Sequence, residues 1–249
     1  MRRTLCRWLL AAALGSGGAG ARAADWYTGA TPPVPDESWI VAVDASVSIT
    51  SNSSQFAGVS GTMALTDNLR ESGARARVEA LAGAYDYKIR DTGQIVRGTQ
   101  IEGGALVGYE WIWRNAALAG YIGLNVRDNQ LSAYDPDNSV VGTAAGVKMV
   151  AEAYANPTDN TMVSGYGSYS TAHHAYYGRV KAGFALFGQT FVGPEVTFLG
   201  DDFFNQWRAG LHLTGLQVGM LKLGVAAGYV QDRVQKGGFY TSLDVRAAF

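Results

Sequence analysis

Three histidines, His173, His174 and His212, are the only imidazoles in the chain. His173 and His174 could hold a metal ion together with Asp201 or Asp202 from a neighbouring loop. Consecutive residues of an extended chain point to opposite faces, however, so a solvated pair at a loop-to-strand junction is expected and no metal site is assigned. His212 falls on a polar strand face with Arg208, and Glu195 lies on a nearby strand. Acyl transfer would need a nucleophile within hydrogen-bond reach of such a base. No serine stands out as that nucleophile, so no catalytic residue is assigned. Glu102 and Glu110 resemble the paired carboxylates of a glycosidase. Eight residues along one strand at about 3.3 Å each separate them by far more than the roughly 5–10 Å that glycoside hydrolysis requires. Ion pairing with inward Arg and Lys is the simpler role. Tyr166, Tyr169, Tyr176, Tyr177, Phe203, Phe204 and Trp207 could stack against sugar rings or anchor a barrel at a membrane interface.

The remaining ionisable residues share a pattern. Ala74, Ala76, Val78, Ala80 and Ala82 alternate with Arg75, Arg77, Glu79 and Leu81. A helix would scatter these charges around its circumference, whereas a period of two collects them on one strand face. Alternation recurs in Trp39–Thr50, Ile95–Ile112, Val141–Ala155, His174–Phe187, Gln206–Leu213 and Gly238–Phe249. One face carries Val, Leu, Ile and Ala, with Trp39, Tyr109, Trp111 and Phe249 near strand ends. The other face carries Arg75, Arg77, Glu79, Glu102, Glu110, Lys148, Glu152, Arg179, Lys181, Glu195, Arg208, His212, Asp244 and Arg246. Unpaired charges are very costly in a dry core, so a soluble barrel with its apolar face inside does not suit this set. A wet or salt-bridged lumen inside a lipid-facing wall does.

About twelve strands (10–12) can be counted. Spans of about 9–11 residues cross a bilayer when tilted. Short connections (Trp113–Asn115, Gly188–Gln189) alternate with long polar ones (Arg127–Ser139, Gln231–Gly237). This is the asymmetry of periplasmic turns against outer loops. Asn156–Asn160 reads as a further turn, and Pro194 inside a strand implies a bulge or local distortion. The chain stops on Phe249 at the end of its last strand, a feature similar to the closing strand of bacterial outer-membrane proteins.

The first residues read as a leader. Arg2 and Arg3 precede an apolar run from Trp8 to Leu14, and Ala21-Arg22-Ala23 supplies an Ala-x-Ala site. Cleavage after Ala23 would remove Cys6, the only cysteine, leaving neither disulfides nor thiolate ligands. Gly15, Gly17 and Gly20 match a nucleotide-loop spacing, but without a preceding strand or a following helix they carry no weight. The whole chain balances 20 Lys and Arg against 21 Asp and Glu. Loss of the leader's four arginines tips the balance acidic, which argues against nucleic acid as a partner. The expected organisation is a signal peptide over 1–23, an extended lead-in over 24–37, and one all-β domain over 38–249. That domain is an antiparallel up-and-down transmembrane β-barrel with outer-membrane lipid as its surroundings and no cofactor.

One stretch carries a likeness to a known family. The run Gly193-Pro194-Glu195-Val196, Leu199-Gly200-Asp201-Asp202, Gln206-Trp207-Arg208-Ala209-Gly210 and His212-Leu213-Thr214-Gly215-Leu216 resembles the bacterial cellulose-biosynthesis protein BcsS family. Ser164–Thr171 and Arg179–Gly183 are similar to the same family, and the likeness is densest over Met162–Leu216. The resemblance implies a non-enzymatic outer-membrane accessory to cellulose production or export, with cellulose or the cellulose secretion machinery as partner. It supplies no catalytic residues. A small porin-like channel and an outer-membrane hydrolase or lipid-modifying enzyme are the alternatives.

Overall fold

A computed structural model describes residues 40–249 apart from 67, 90–91 and 234–236. The expected signal peptide and lead-in, and Trp39, lie outside the described residues. Twelve strands follow one another: β1 (Val41–Thr50), β2 (Ser54–Ala64), β3 (Gly73–Lys88), β4 (Ile95–Ile112), β5 (Ala116–Leu131) and β6 (Gly142–Thr158). The second half contains β7 (Thr161–Ser170), β8 (Tyr176–Phe187), β9 (Thr190–Gly200), β10 (Asn205–Val218), β11 (Leu221–Asp232) and β12 (Gly238–Ala248). Each pairs antiparallel with its sequence neighbours, and β1 pairs with β12 from Ala42↔Ala248 to Thr50↔Tyr240, closing the barrel. Closure leaves no free edge, so every wall N–H and C=O can be satisfied between strands, as a hydrocarbon surround demands.

The parity seen in the sequence sets the two surfaces. Along β1, Val43, Val47 and Ile49 are exposed while Asp44 is buried. Ile101, Leu124 and Leu211 are 65%, 69% and 64% exposed in mid-strand, whereas Glu102, Asn125 and His212 beside them are buried. An apolar exterior wrapped around buried ionic groups is the arrangement of a barrel that crosses a bilayer. No helix among the described residues is long and apolar enough to cross a membrane. Aromatics bracket the apolar belt. Tyr109, Trp111, Trp113, Phe187 and Phe249 lie outward near the rim where β1 begins (the near rim). Phe198, Trp207, Tyr229 and Phe239 lie outward near the opposite, far rim.

Four elements differ from the sequence expectation. β5 runs on to Leu131, so Arg127 and Asn129 are wall residues facing inward instead of loop residues. An inner face that is itself polar lets a strand continue through polar sequence. β6 likewise continues through Pro157 to Thr158, leaving only 159–160 as the turn, with an irregular register between Ala155 and Thr158. The register runs unshifted through Pro194, which points outward; the ladder between β8 and β9 merely skips Ala182 and Gly183 opposite it. His173 and His174 belong to a 3-10 turn (Ala172–His174) in the left-handed region, φ 56° and 48°, and not to the start of β8.

Candidate functional site: the barrel lumen

Two ionic networks cross the lumen. In the first, β3 supplies Arg77 and Glu79, β4 Glu102, and β6 Lys148 and Glu152, because residues two apart on a strand share the inner face. Arg77 Nη1 donates to Glu152 Oε1 at 2.5 Å and its Nη2 to Ser60 Oγ at 3.2 Å. Lys148 Nζ bridges Glu102 at 2.7 Å and Glu79. Asn125 Nδ2 donates to Glu102 Oε1 at 3.2 Å, and its Oδ1 accepts from Ser170 Oγ at 2.8 Å. In the second network, Arg179 on β8 pairs with Glu195 on β9 at 2.6 Å and with Asp244 on β12 at 2.9 Å. Lys181 reaches Asp244 at 3.3 Å, and Tyr240 donates its hydroxyl to Glu195 at 3.1 Å. Buried ions are tolerated when paired and hydrogen-bonded in this way. Towards the near rim, Arg75 pairs with Glu110 at 2.9 Å and Arg246 with Asp44 at 3.4 Å.

The near half of the lumen is filled. Leu106, Tyr121, Val150, Tyr154, Met162 and Phe191 form a buried cluster on the inner wall. Below it, the 65–72 connection breaks the rule of two- or three-residue turns on this rim. Leu69 from that connection packs against Ala42, Ala64 and Ala248, and Arg75 Nη2 donates to Glu71 O at 2.5 Å. The space beside Arg77, Glu110 and Glu152 is about 10 Å³, enough for roughly one water. The expected wet or salt-bridged lumen is therefore two things: ionic struts across the middle and a packed plug beneath them.

The far half holds a cavity of about 270 Å³. Its wall includes Phe56, Tyr85, Tyr166, Tyr177 and Tyr240 and a set of serines, among them Ser48, Ser60, Ser168, Ser170 and Ser242. Glycines position two of the rings. A Cβ on Gly83 would lie 2.0 Å from the Phe56 ring, and one on Gly98 2.4 Å from the Tyr85 ring, so each ring lies over a bare stretch of the adjoining strand. Over the cavity runs the 201–204 connection. Phe204 stacks on Tyr85 with centroids 6.4 Å apart, Phe203 meets Tyr87 edge-on at 5.2 Å, and Arg127 Nη2 donates to Asp201 Oδ2 at 2.7 Å. Since β9 lies halfway round the ring from β3, this connection spans the mouth.

The two roles open to the aromatics divide by parity. Tyr166 and Tyr177 line the cavity, Tyr169, Tyr176 and Trp207 are exposed on the outside, and Phe203 and Phe204 belong to the spanning connection. His174 Nδ1 lies 2.9 Å from the Asp202 carboxylate, but Asp201 is taken by Arg127, so the four residues do not converge. No group of three or more His, Cys, Asp or Glu suited to a metal gathers among the described residues. His212 Nε2 donates to Ala182 O at 3.1 Å, which makes Nδ1 the acceptor for Thr214 Oγ1 at 3.1 Å. Thr214 is fully buried and borders neither cavity, so this hydroxyl–imidazole pair has no room for a substrate. Glu102 and Glu110 sit in separate ion pairs, as Lys148 and Arg75 take them. Arg127 and Tyr85 are site residues that the sequence does not single out: Arg127 lies in apparent loop, and Tyr85 follows the clear apolar/polar alternation, which fades after Ala82.

A family model described as "Cellulose biosynthesis protein BcsS" matches residues 45–249. No curated protein is similar to the chain in sequence. Among solved structures, the beta domain of the Bordetella autotransporter BrkA aligns with TM-score 0.46 at 14% identity, covering 86% of this chain and 100% of that one. The KdgM porin aligns with TM-score 0.43 at 10% identity, covering 84% and 99%. The Acinetobacter baumannii outer membrane protein Omp33 aligns with TM-score 0.38 at 11% identity, covering 85% and 99%.

Proposed function

Because the chain belongs to the cellulose biosynthesis protein BcsS family, we propose that it serves cellulose production as a non-enzymatic accessory barrel of the bacterial outer membrane. The observation behind this is the division of the lumen, with a plugged near half and a cavity in the far half inside an apolar wall. Short turns on the near rim match the periplasmic side of such barrels, which puts the cavity towards the cell exterior. A lumen crossed by Arg77–Glu152 and Arg179–Asp244 struts and packed beneath them favours holding or docking over steady conduction, and gives a growing glucan chain no open path. The burial of the His212–Thr214 pair, which borders neither cavity, weighs the same way against a hydrolase.

The test is deletion of the gene in a cellulose-producing strain, with cellulose deposition measured by dye binding and restored by the full-length gene. Unchanged deposition in the deletion strain refutes the accessory role.

A further inference from the structure

We propose that the far-half cavity is a binding site for a short segment of neutral glucan; this rests on the accessory role in cellulose production and names the ligand class of that same lumen. At about 270 Å³ the cavity lies near the lower end of ligand sites, which run from about 300 to 1,000 Å³. That is room for one or a few sugar rings, not for a folded partner.

Its wall has the two surfaces a β-linked glucan presents. Such a chain offers flat ring faces made of C–H bonds and edges made of hydroxyls. Tyr177 and Tyr240 on one side and Phe56 and Tyr85 on another supply large flat apolar surfaces, which lose little conformational entropy on contact. Between them, Ser48, Ser168 and Ser242 supply hydroxyls that can both donate and accept, as sugar hydroxyls do.

Charge decides between neutral and acidic polymers. The carboxylates bordering the cavity are Glu79, Glu102, Glu195, Asp201 and Asp244, and each is ion-paired. The bordering cations are Arg127, Lys148, Arg179 and Arg208, one fewer than the acids. A polyanion would meet at least as much repulsion as attraction there. Arg208 is the cation whose partners are neutral: Gln206 Oε1 at 2.7 Å, Ser48 Oγ at 2.5 Å and the Tyr240 ring face at 5.5 Å. It is 7% exposed, borders the cavity, and forms no ion pair with a described residue. A guanidinium lying over a tyrosine ring and fixed at Nε and Nη1 presents its remaining N–H groups in a fixed fork. Paired hydroxyl oxygens of a glucose unit match that fork without adding a charge.

The experiment is isothermal titration calorimetry on the full-length mature protein, refolded in detergent micelles, with cellohexaose, maltohexaose and hexagalacturonate as probes. Two variants accompany it: Arg208→Gln, which removes the fork, and Ser168→Phe, which fills the cavity without touching the ionic networks. Heat-modifiable gel mobility identifies the folded fraction of each. Saturable cellohexaose binding that weakens tenfold or more in both folded variants supports the site. No heat with cellohexaose, or unchanged affinity in the folded variants, overturns it, as does tighter binding of hexagalacturonate. A blank titration alongside a deletion strain that loses cellulose would sink the lumenal site and leave the accessory role standing; normal cellulose in the deletion strain would sink the role itself.

Discussion

Tyr85 and Phe204 stack with centroids 6.4 Å apart although they come from opposite sides of a twelve-stranded ring. One rides on β3 in the wall and the other on the connection after β9. Together with the Arg127–Asp201 pair at 2.7 Å, this contact fixes the connection across the mouth.

Phe204→Ala should release that connection without unfolding the wall. An aromatic pair contributes about 0.5–1.5 kcal/mol beyond its buried area, so amide exchange at 201–204 should speed up by roughly a factor of ten while the strands keep their protection. Unchanged exchange would show that the stacking does not hold the connection.

Glu152→Ala removes the nearest carboxylate from Arg77, which stays in a packed interior with Ser60 Oγ at 3.2 Å and the more distant Glu79 carboxylate at 3.7 Å. Removal of one partner from a buried pair costs about 3–5 kcal/mol. Urea unfolding in lipid vesicles should register a loss of that order. A loss under about 1 kcal/mol would mean that water reaches Arg77 freely and the near half is not plugged.

Leu124→Arg places a charge at the middle of β5 on the outer surface, where Leu124 is 69% exposed. In a bilayer this costs about 2–4 kcal/mol. An exterior bathed in water would tolerate it at no cost. The same unfolding assay separates the two.

Gly98→Ala sets a methyl 2.4 Å from the Tyr85 ring. The ring has to leave the strand it covers, so overpacking of about 1–3 kcal/mol is expected, accompanied by the same speeding of exchange at 201–204 as in Phe204→Ala. Full stability with a rigid connection would contradict the glycine's role as a seat for the ring.

Much of this was legible in alternation. Arg75, Arg77 and Glu79, or Trp207 against Arg208, announce two surfaces of opposite character, and the count of twelve strands follows from the same signal. Tyr176 and Tyr177 show that even the fate of the aromatics is a matter of parity, since adjacent residues cannot share a face. Strand ends were less legible. In a soluble sheet Arg127 and Asn129 would signal a loop, but a polar lumen removes that contrast. Contacts across the ring were not legible at all: nothing local in Asp201 points to Arg127, which is 74 residues away. The plug was hidden for a related reason, because Leu106 and Val150 share faces with Glu102 and Lys148, and only depth along the strand tells them apart.

The three shifts of register fall between Ala155 and Thr158, Ala185 and Phe187, and Thr214 and Leu216, late in β6, β8 and β10. All three are therefore on the near-rim side. An extra residue in mid-wall would swap lipid-facing and lumen-facing side chains for the remainder of its strand. Confined to that margin, such slack never reaches the residues around the cavity. Length variation among kindred chains should accordingly collect at the turns and this margin, while the stretches framing the hollow keep a fixed count.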